Sequence, residues 1–190
     1  MKKVVCALYV ILCSFLLSIP VHAAEADPYL QVLQQINATY GTDLQFDYVD
    51  KQVISIEEYQ TFIESIAQRS AEAEASISTR QLVNSVDELS LTYSGIKTVT
   101  KDVWGGWASV FSITATYSVN ENRISEFNNA SINNKQPLSY KYKLDSTLPK
   151  TSTIDAGRTL TVTFTGTIQN AEGTISASNV KLYTEFSVAD

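Results

Sequence analysis

The sequence predicts an α+β protein in which an N-terminal helical segment packs on an antiparallel β-sandwich or small β-barrel. Three observations predict it. Apolar residues recur at steps of three and four from Tyr29 to Tyr40 and again from Ile56 to Ile77, the spacing that lines one face of a helix. Beyond Ser90 the period changes to two, so apolar side chains alternate with Thr, Ser and Lys, as in strands with one face on a core and the other in water. Charge divides at the same place, with twelve acidic and three basic side chains in residues 25–89 against eight and nine in residues 90–190. The expected organisation is a signal peptide at 1–24, an acidic helical segment at 25–88 and an antiparallel β-domain at 89–190.

Lys2 and Lys3 precede an apolar run from Val4 to Ile19, and Pro20 and the small residues Ala23 and Ala24 follow it. This is the charged, apolar and small-residue order of a secretory signal. The 16-residue run is shorter than the roughly 20 residues of a membrane span. Cys13 lies inside the run after Ile11 and Leu12, without the small residue that precedes a lipidated cysteine. The expected product is a secreted chain of about 166 residues with no stable membrane anchor.

His22, Cys6, Cys13 and Met1 are the only residues of their types and all fall in the signal. The expected mature chain therefore has no imidazole base, thiol nucleophile, thiolate or imidazole metal site, or disulfide. Carboxylate, hydroxyl, Lys and Tyr chemistry remain, and neither a cofactor nor a metal is expected. Neither half carries the basic stripe that neutralises phosphates, so nucleic acid is not an expected partner.

Asp27-Pro28 supplies an N-cap and a first-turn proline for the first helix, and Gly41 ends it. Leu44, Phe46 and Tyr48 then alternate, which suggests an extended linker. Ser55 and Glu58 form a capping box for a longer helix with Ile56, Tyr59, Ile63, Ile66, Ser70, Ala73 and Ile77 on one stripe. Glu57, Glu58, Glu64, Gln68 and Glu72 fall on its other face. From Ser78 to Glu88 the pattern is ambiguous between helix and strand.

Strand-like alternation then places Trp107, Phe111, Ile113, Ala115, Tyr117 and Val119 on one side. It recurs with Leu138, Tyr140, Tyr142 and Leu144, with Leu160, Val162, Phe164 and Ile168, and with Val180, Leu182, Phe186 and Val188. Breaks fall at Gly105-Gly106, 120–122, Asn133-Asn134, 145–149, Ala156-Gly157 and 170–173, a spacing that suits seven or eight short strands.

Val103-Trp104-Gly105-Gly106-Trp107 is the most specific local feature. A two-residue Gly-Gly turn sets Trp104 opposite Trp107, either as a clasp that pins register or as a stacking platform for a sugar. Trp104, Trp107 and the neighbouring Asp102 are the candidate ligand-binding residues. Asp43, Asp47 and Asp50 cluster without the alternating pattern of a calcium loop and are expected to be solvated. Ser94 and Lys97 match an S-x-x-K string, but in a strand region instead of at a helix start. Asp102, Glu126, Asp145 and Glu185 are the acids available to a carboxylate mechanism.

Two resemblances complete the reading. Leu148-Pro149-Lys150-Thr151 resembles the start of the sorting signal of Gram-positive surface proteins, but Ser152 replaces the following Gly and a turn at Pro149 explains the string. The order of signal, short helical part with Tyr40-Gly41-Thr42, and β-domain resembles small exported proteins of uncharacterised Gram-positive families, which implies no activity. The expected function is non-enzymatic binding outside the cell, to a glycan, a cell-wall polymer or a protein partner. A carboxylate-based glycan hydrolase is the first alternative. An assembling or membrane-active β-protein is the second.

Overall fold

The computed structural model describes residues 27–80 and 92–190. The expected signal peptide and most of the ambiguous stretch between helix and strand lie outside the described residues. The chain is a mixed helix and sheet structure with two antiparallel sheets, one of them curled.

Helix α1 (Pro28–Tyr40) begins where Asp27 accepts the Tyr29 amide at 3.1 Å, and it ends at Gly41, whose φ of 67° lets its N–H turn back to the Asn37 carbonyl. The Asn37 side chain also donates to the Leu44 carbonyl at 2.7 Å and accepts from the Thr42 hydroxyl at 2.8 Å, which directs the chain into β1 (Gln45–Val49). Helix α2 (Ile56–Arg80) starts with both bonds of the predicted capping box, from the Ser55 amide to Glu58 at 2.9 Å and from the Glu58 amide to Ser55 Oγ at 3.2 Å. Tyr59, Ile63, Ile66 and Ala73 of the predicted stripe are buried, and Tyr29 of α1 meets the Tyr59 ring edge-on at 5.2 Å.

The expected linker is in fact a strand. β1 pairs antiparallel with β8 (Ile175–Ser187), from Gln45 opposite Ser178 to Val49 opposite Ile175. Alternation over so short a segment is the same for a linker and an edge strand, and only the distant partner decides. The five-stranded sheet therefore draws a strand from the segment expected to be helical.

β2 (Gly95–Asp102), β3 (Phe111–Asn120) and β4 (Arg123–Asn134) form a three-stranded meander. Asn133 and Asn134, expected as a break, instead end β4 opposite Ser112 and Phe111. The second sheet runs β1-β8-β7-β5, with β7 (Thr159–Asn170) also pairing β6 (Lys150–Ile154). β5 (Tyr140–Leu144) faces Asn170 to Gly166 and β6 faces Thr163 to Thr159, so the two lie end to end along one edge of β7. Leu148 and Pro149 fall in the interruption between them. Leu138 is 90 % exposed, because the chain turns between Gln136 and Tyr140 before β5 begins.

The inner faces meet as the alternation predicts. Phe111, Ile113, Ala115, Tyr117 and Val119 are buried on β3, as are Leu160, Val162, Phe164 and Ile168 on β7. Leu182 and Phe186 of β8 join them, with the Phe186 and Tyr117 rings 6.1 Å apart.

Candidate functional site

The Gly-Gly segment does not form a two-residue hairpin turn. The last β2–β3 pair is Asp102 with Ser112, so the connection is longer, and Gly105–Trp107 make one turn of 3₁₀ helix within it. The reason lies in α2. Gly105 has a φ of +68°, and a Cβ on it would stand 2.3 Å from the Ala73 amide nitrogen. A Cβ on Gly106 would stand 2.6 Å from Glu72 Oε2 and 2.8 Å from Arg69 Cα. Both glycines serve a backbone approach to the helix, a use of glycine that the sequence does not distinguish from a hairpin.

The two tryptophans consequently part. Trp107 is fully buried, near Phe111 at 5.8 Å and Tyr140 at 5.9 Å. The Arg69 guanidinium lies 5.5 Å from the Trp107 ring and donates to the Gly106 carbonyl. Trp107 offers no surface to a ligand. Trp104 is half-buried, with its amide bonded to the Tyr183 carbonyl at 2.8 Å and its ring edge-on to Tyr183 at 5.0 Å. Asp102 is exposed and paired with Lys135 at 2.8 Å. The three candidate residues do not form one binding surface.

A groove of about 780 Å³ lies instead on the outer face of the five-stranded sheet. Thr161, Thr163 and Thr165 of β7 form its floor, because alternation sends their neighbours Leu160, Val162 and Phe164 inward. Register builds two rows across three strands. Lys150, Thr163 and Tyr183 form one, and Ser152, Thr161 and Glu185 form the next. Ile77 of α2 flanks the groove, and a smaller depression of about 230 Å³ continues toward Asp43 and Leu44.

Its polar groups are partly pre-ordered. Tyr183 Oη donates to Glu185 Oε1 at 2.5 Å, and Glu185 is 8 % exposed. Thr159 donates to Asp155 at 2.8 Å, and the Ser152 and Thr161 hydroxyls lie 2.7 Å apart. Lys181 Nζ stands 3.4 Å from Asp43 and 3.9 Å from Glu74. Tyr183 was missed from sequence. Its signal was an aromatic on the polar phase of a strand, between Leu182 and Thr184.

The other singled-out residues disperse. Asp43 faces Lys181, Asp47 accepts from Ser176 at 2.6 Å, and Asp50 accepts the Gln52 amide. Among the described residues no group of three or more His, Cys, Asp or Glu is placed to hold a metal ion. Ser94 Oγ accepts the Glu121 amide, while Lys97 Nζ reaches the Val188 carbonyl at 2.6 Å. Glu126 and Asp145 lie exposed on β4 and after β5, and neither lines the large groove. No described helix is long and apolar enough to cross a membrane.

No family model matches the sequence, and no curated protein matches it. Among solved structures, a two-domain protein of unknown function from Bacteroides thetaiotaomicron is similar at 14% identity, over 88% of this chain and 87% of that chain, with a TM-score of 0.36.

Proposed function

We propose that the protein is a secreted, non-enzymatic binding protein whose outer groove recognises a polyhydroxylated ligand, such as a glycan or cell-wall polymer. In this reading the two sheets form a sandwich, and the helices are a fixed layer on it that walls the groove. The observation that carries it is the row Lys150, Thr163 and Tyr183, where an aromatic ring, a hydroxyl and an ammonium converge in one groove. Trp104 is then a positioning residue that holds the Tyr183 ring. The test is binding to a panel of soluble polysaccharides and wall fractions. Tyr183→Ala is expected to abolish retention, while Tyr183→Phe, which keeps the ring and loses the hydroxyl that bonds Glu185, retains part of it. Equal retention of wild type and Tyr183→Ala would sink the groove as the site.

One observation favours an enzymatic reading, since Asp155 and Glu185 line the same groove and glycoside hydrolysis uses two carboxylates. That reading predicts turnover of a polysaccharide by the wild type and its loss in Asp155→Asn and in Glu185→Gln. Release of no reducing ends from any polymer that binds eliminates it.

A further inference from the structure

We propose that the groove is one end of a longer trough that binds an uncharged, extended polysaccharide chain along β7, several sugars at a time. This rests on the groove being the ligand site and adds the length and charge of the ligand. Two further depressions adjoin the groove on the same face of the sheet. Tyr183 and Lys181 line both the groove and the depression of about 230 Å³, and Asn179 lines both that depression and a third of about 470 Å³. The third also holds Thr167, two residues beyond Thr165 of the groove and therefore on the same face of β7. From Thr161 to Thr167 the floor runs roughly 20 Å, at about 3.4 Å per residue. A mono- or disaccharide does not fill that length.

Register supplies hydrogen-bonding groups at both ends. At the groove end Thr163 lies between Lys150 and Tyr183. At the far end Thr167 pairs with Lys143, and Gln45 of β1 pairs with Ser178 of β8. Gly166 pairs with Val180 and Ile168 with Ala177, so Ser178 and Asn179 together stand opposite Thr167, with Asn179 at a φ of +64°. Bulges of this kind re-aim side chains, and this one brings both residues onto the lining of the far depression.

Charge fits an uncharged chain. Lys181 is bonded to Asp43 and paired with Glu74, which draws its ammonium toward α2. Lys150 shares the groove with Asp155 and Glu185, and Lys143 shares the far depression with Asp145 and Asp47. Carboxylates accompany lysines at every point, so the trough lacks the run of positive charge that gathers a polyanion. Sugar hydroxyls donate to carboxylates and accept from ammonium groups, and they suit such a lining. Threonine favours strands, which by itself accounts for a Thr-rich outer face. It does not account for the wall, where Ala73 and Ile77 of α2 and the segment of Asp43 and Leu44 flank that face and make it concave.

The test uses the full chain and three neutral probes, cello-, chito- and β-1,3-gluco-oligosaccharides of two to six sugars, titrated calorimetrically at low and high salt. In at least one series the affinity is expected to rise about tenfold or more from two sugars to six and to be unaltered by salt. Gln45→Ala combined with Thr167→Val, at the far end, is expected to lower the affinity for six sugars about tenfold, as loss of two hydrogen bonds does, and to leave that for two sugars unchanged. Tyr183→Ala lowers both, and thermal melts establish that each variant is folded.

An affinity that does not rise with chain length, or one for six sugars that the far-end variant leaves unaltered, overturns the extended trough while the groove reading stands. Affinity that falls steeply with salt overturns the uncharged class. Binding that survives Tyr183→Ala unaltered overturns the groove reading itself. Binding to none of the three series overturns the proposal.

Discussion

Along β7, Leu160, Val162, Phe164 and Ile168 are buried in the core, while Thr161, Thr163, Thr165 and Thr167 face the opposite way. β8 repeats the division, with Val180, Leu182 and Phe186 inside and Lys181, Tyr183 and Glu185 outside. The two faces share one backbone and differ only in side-chain chemistry. Val and Thr have nearly the same shape, so exchanging a methyl for a hydroxyl at alternate positions decides which face excludes water and which presents donors. Stability and recognition therefore lie on opposite faces of the same strands, and single substitutions should separate them.

The largest effect is expected inside. Phe164→Ala removes a fully buried ring and should cost about 3–5 kcal/mol in urea unfolding. The folded fraction should keep the ligand affinity of the wild type. An affinity that falls in step with stability would break the separation.

Alkaline pH probes the same dry interior. Burial, and secondarily the charge of Asp27, push the Tyr59 phenol from 10.0 up to about 12. Burial also raises Tyr117, helped by Asp190 and Tyr93, and raises Tyr142, helped by Asp145. Phenols held protonated in the fold contribute stability that is present below pH 10 and declines as pH climbs through 10 toward 12, because the unfolded chain ionises first. The Tyr59 hydroxyl has no hydrogen-bond partner among the described residues. Tyr59→Phe should therefore keep the midpoint at pH 7 and raise it over wild type at pH 11, as urea titrations at the two pH values will read.

Smaller effects sharpen the comparison. Val162→Thr puts a hydroxyl on the inner face and should cost about 1–3 kcal/mol if it finds no partner there. Trp104→Ala loses an edge-on ring contact and should cost about 1 kcal/mol, with a fall in affinity as Tyr183 loosens. Acrylamide should quench Trp104 in the wild type and leave Trp107 protected in a Trp104→Phe protein. The mirror change, Thr163→Val, should shift stability by no more than about 0.5 kcal/mol yet weaken ligand binding. An unfolding midpoint that moves more than this places Thr163 in the core and collapses the distinction.

Much of the local structure was readable before the fold. Asp27 and Gly41 bound α1 as their capping chemistry requires, Ser55 and Glu58 cap α2 reciprocally, and the inward residues of β3, β7 and β8 follow from alternation. The misreadings share one cause. β1 looked like a linker, and Gly105-Gly106 looked like a hairpin turn, because each is defined by a partner far away in sequence: β8 for the first, Ala73 and Arg69 for the second.

The sequence by itself determined both ends of α1 and the start of α2, the strand periods, the acidic first half and the narrow range of side chains available for chemistry. Each of these depends on residues within a few positions of one another. Tertiary structure alone decided that one tryptophan is core and the other supports Tyr183, and that β8 aligns Lys181, Tyr183 and Glu185 against the β7 threonines. It also carried Lys150 from β6 onto the same groove. Alternation says which residues share a face of one strand, but strand order and register say which faces adjoin, and these follow from burial summed over the whole chain.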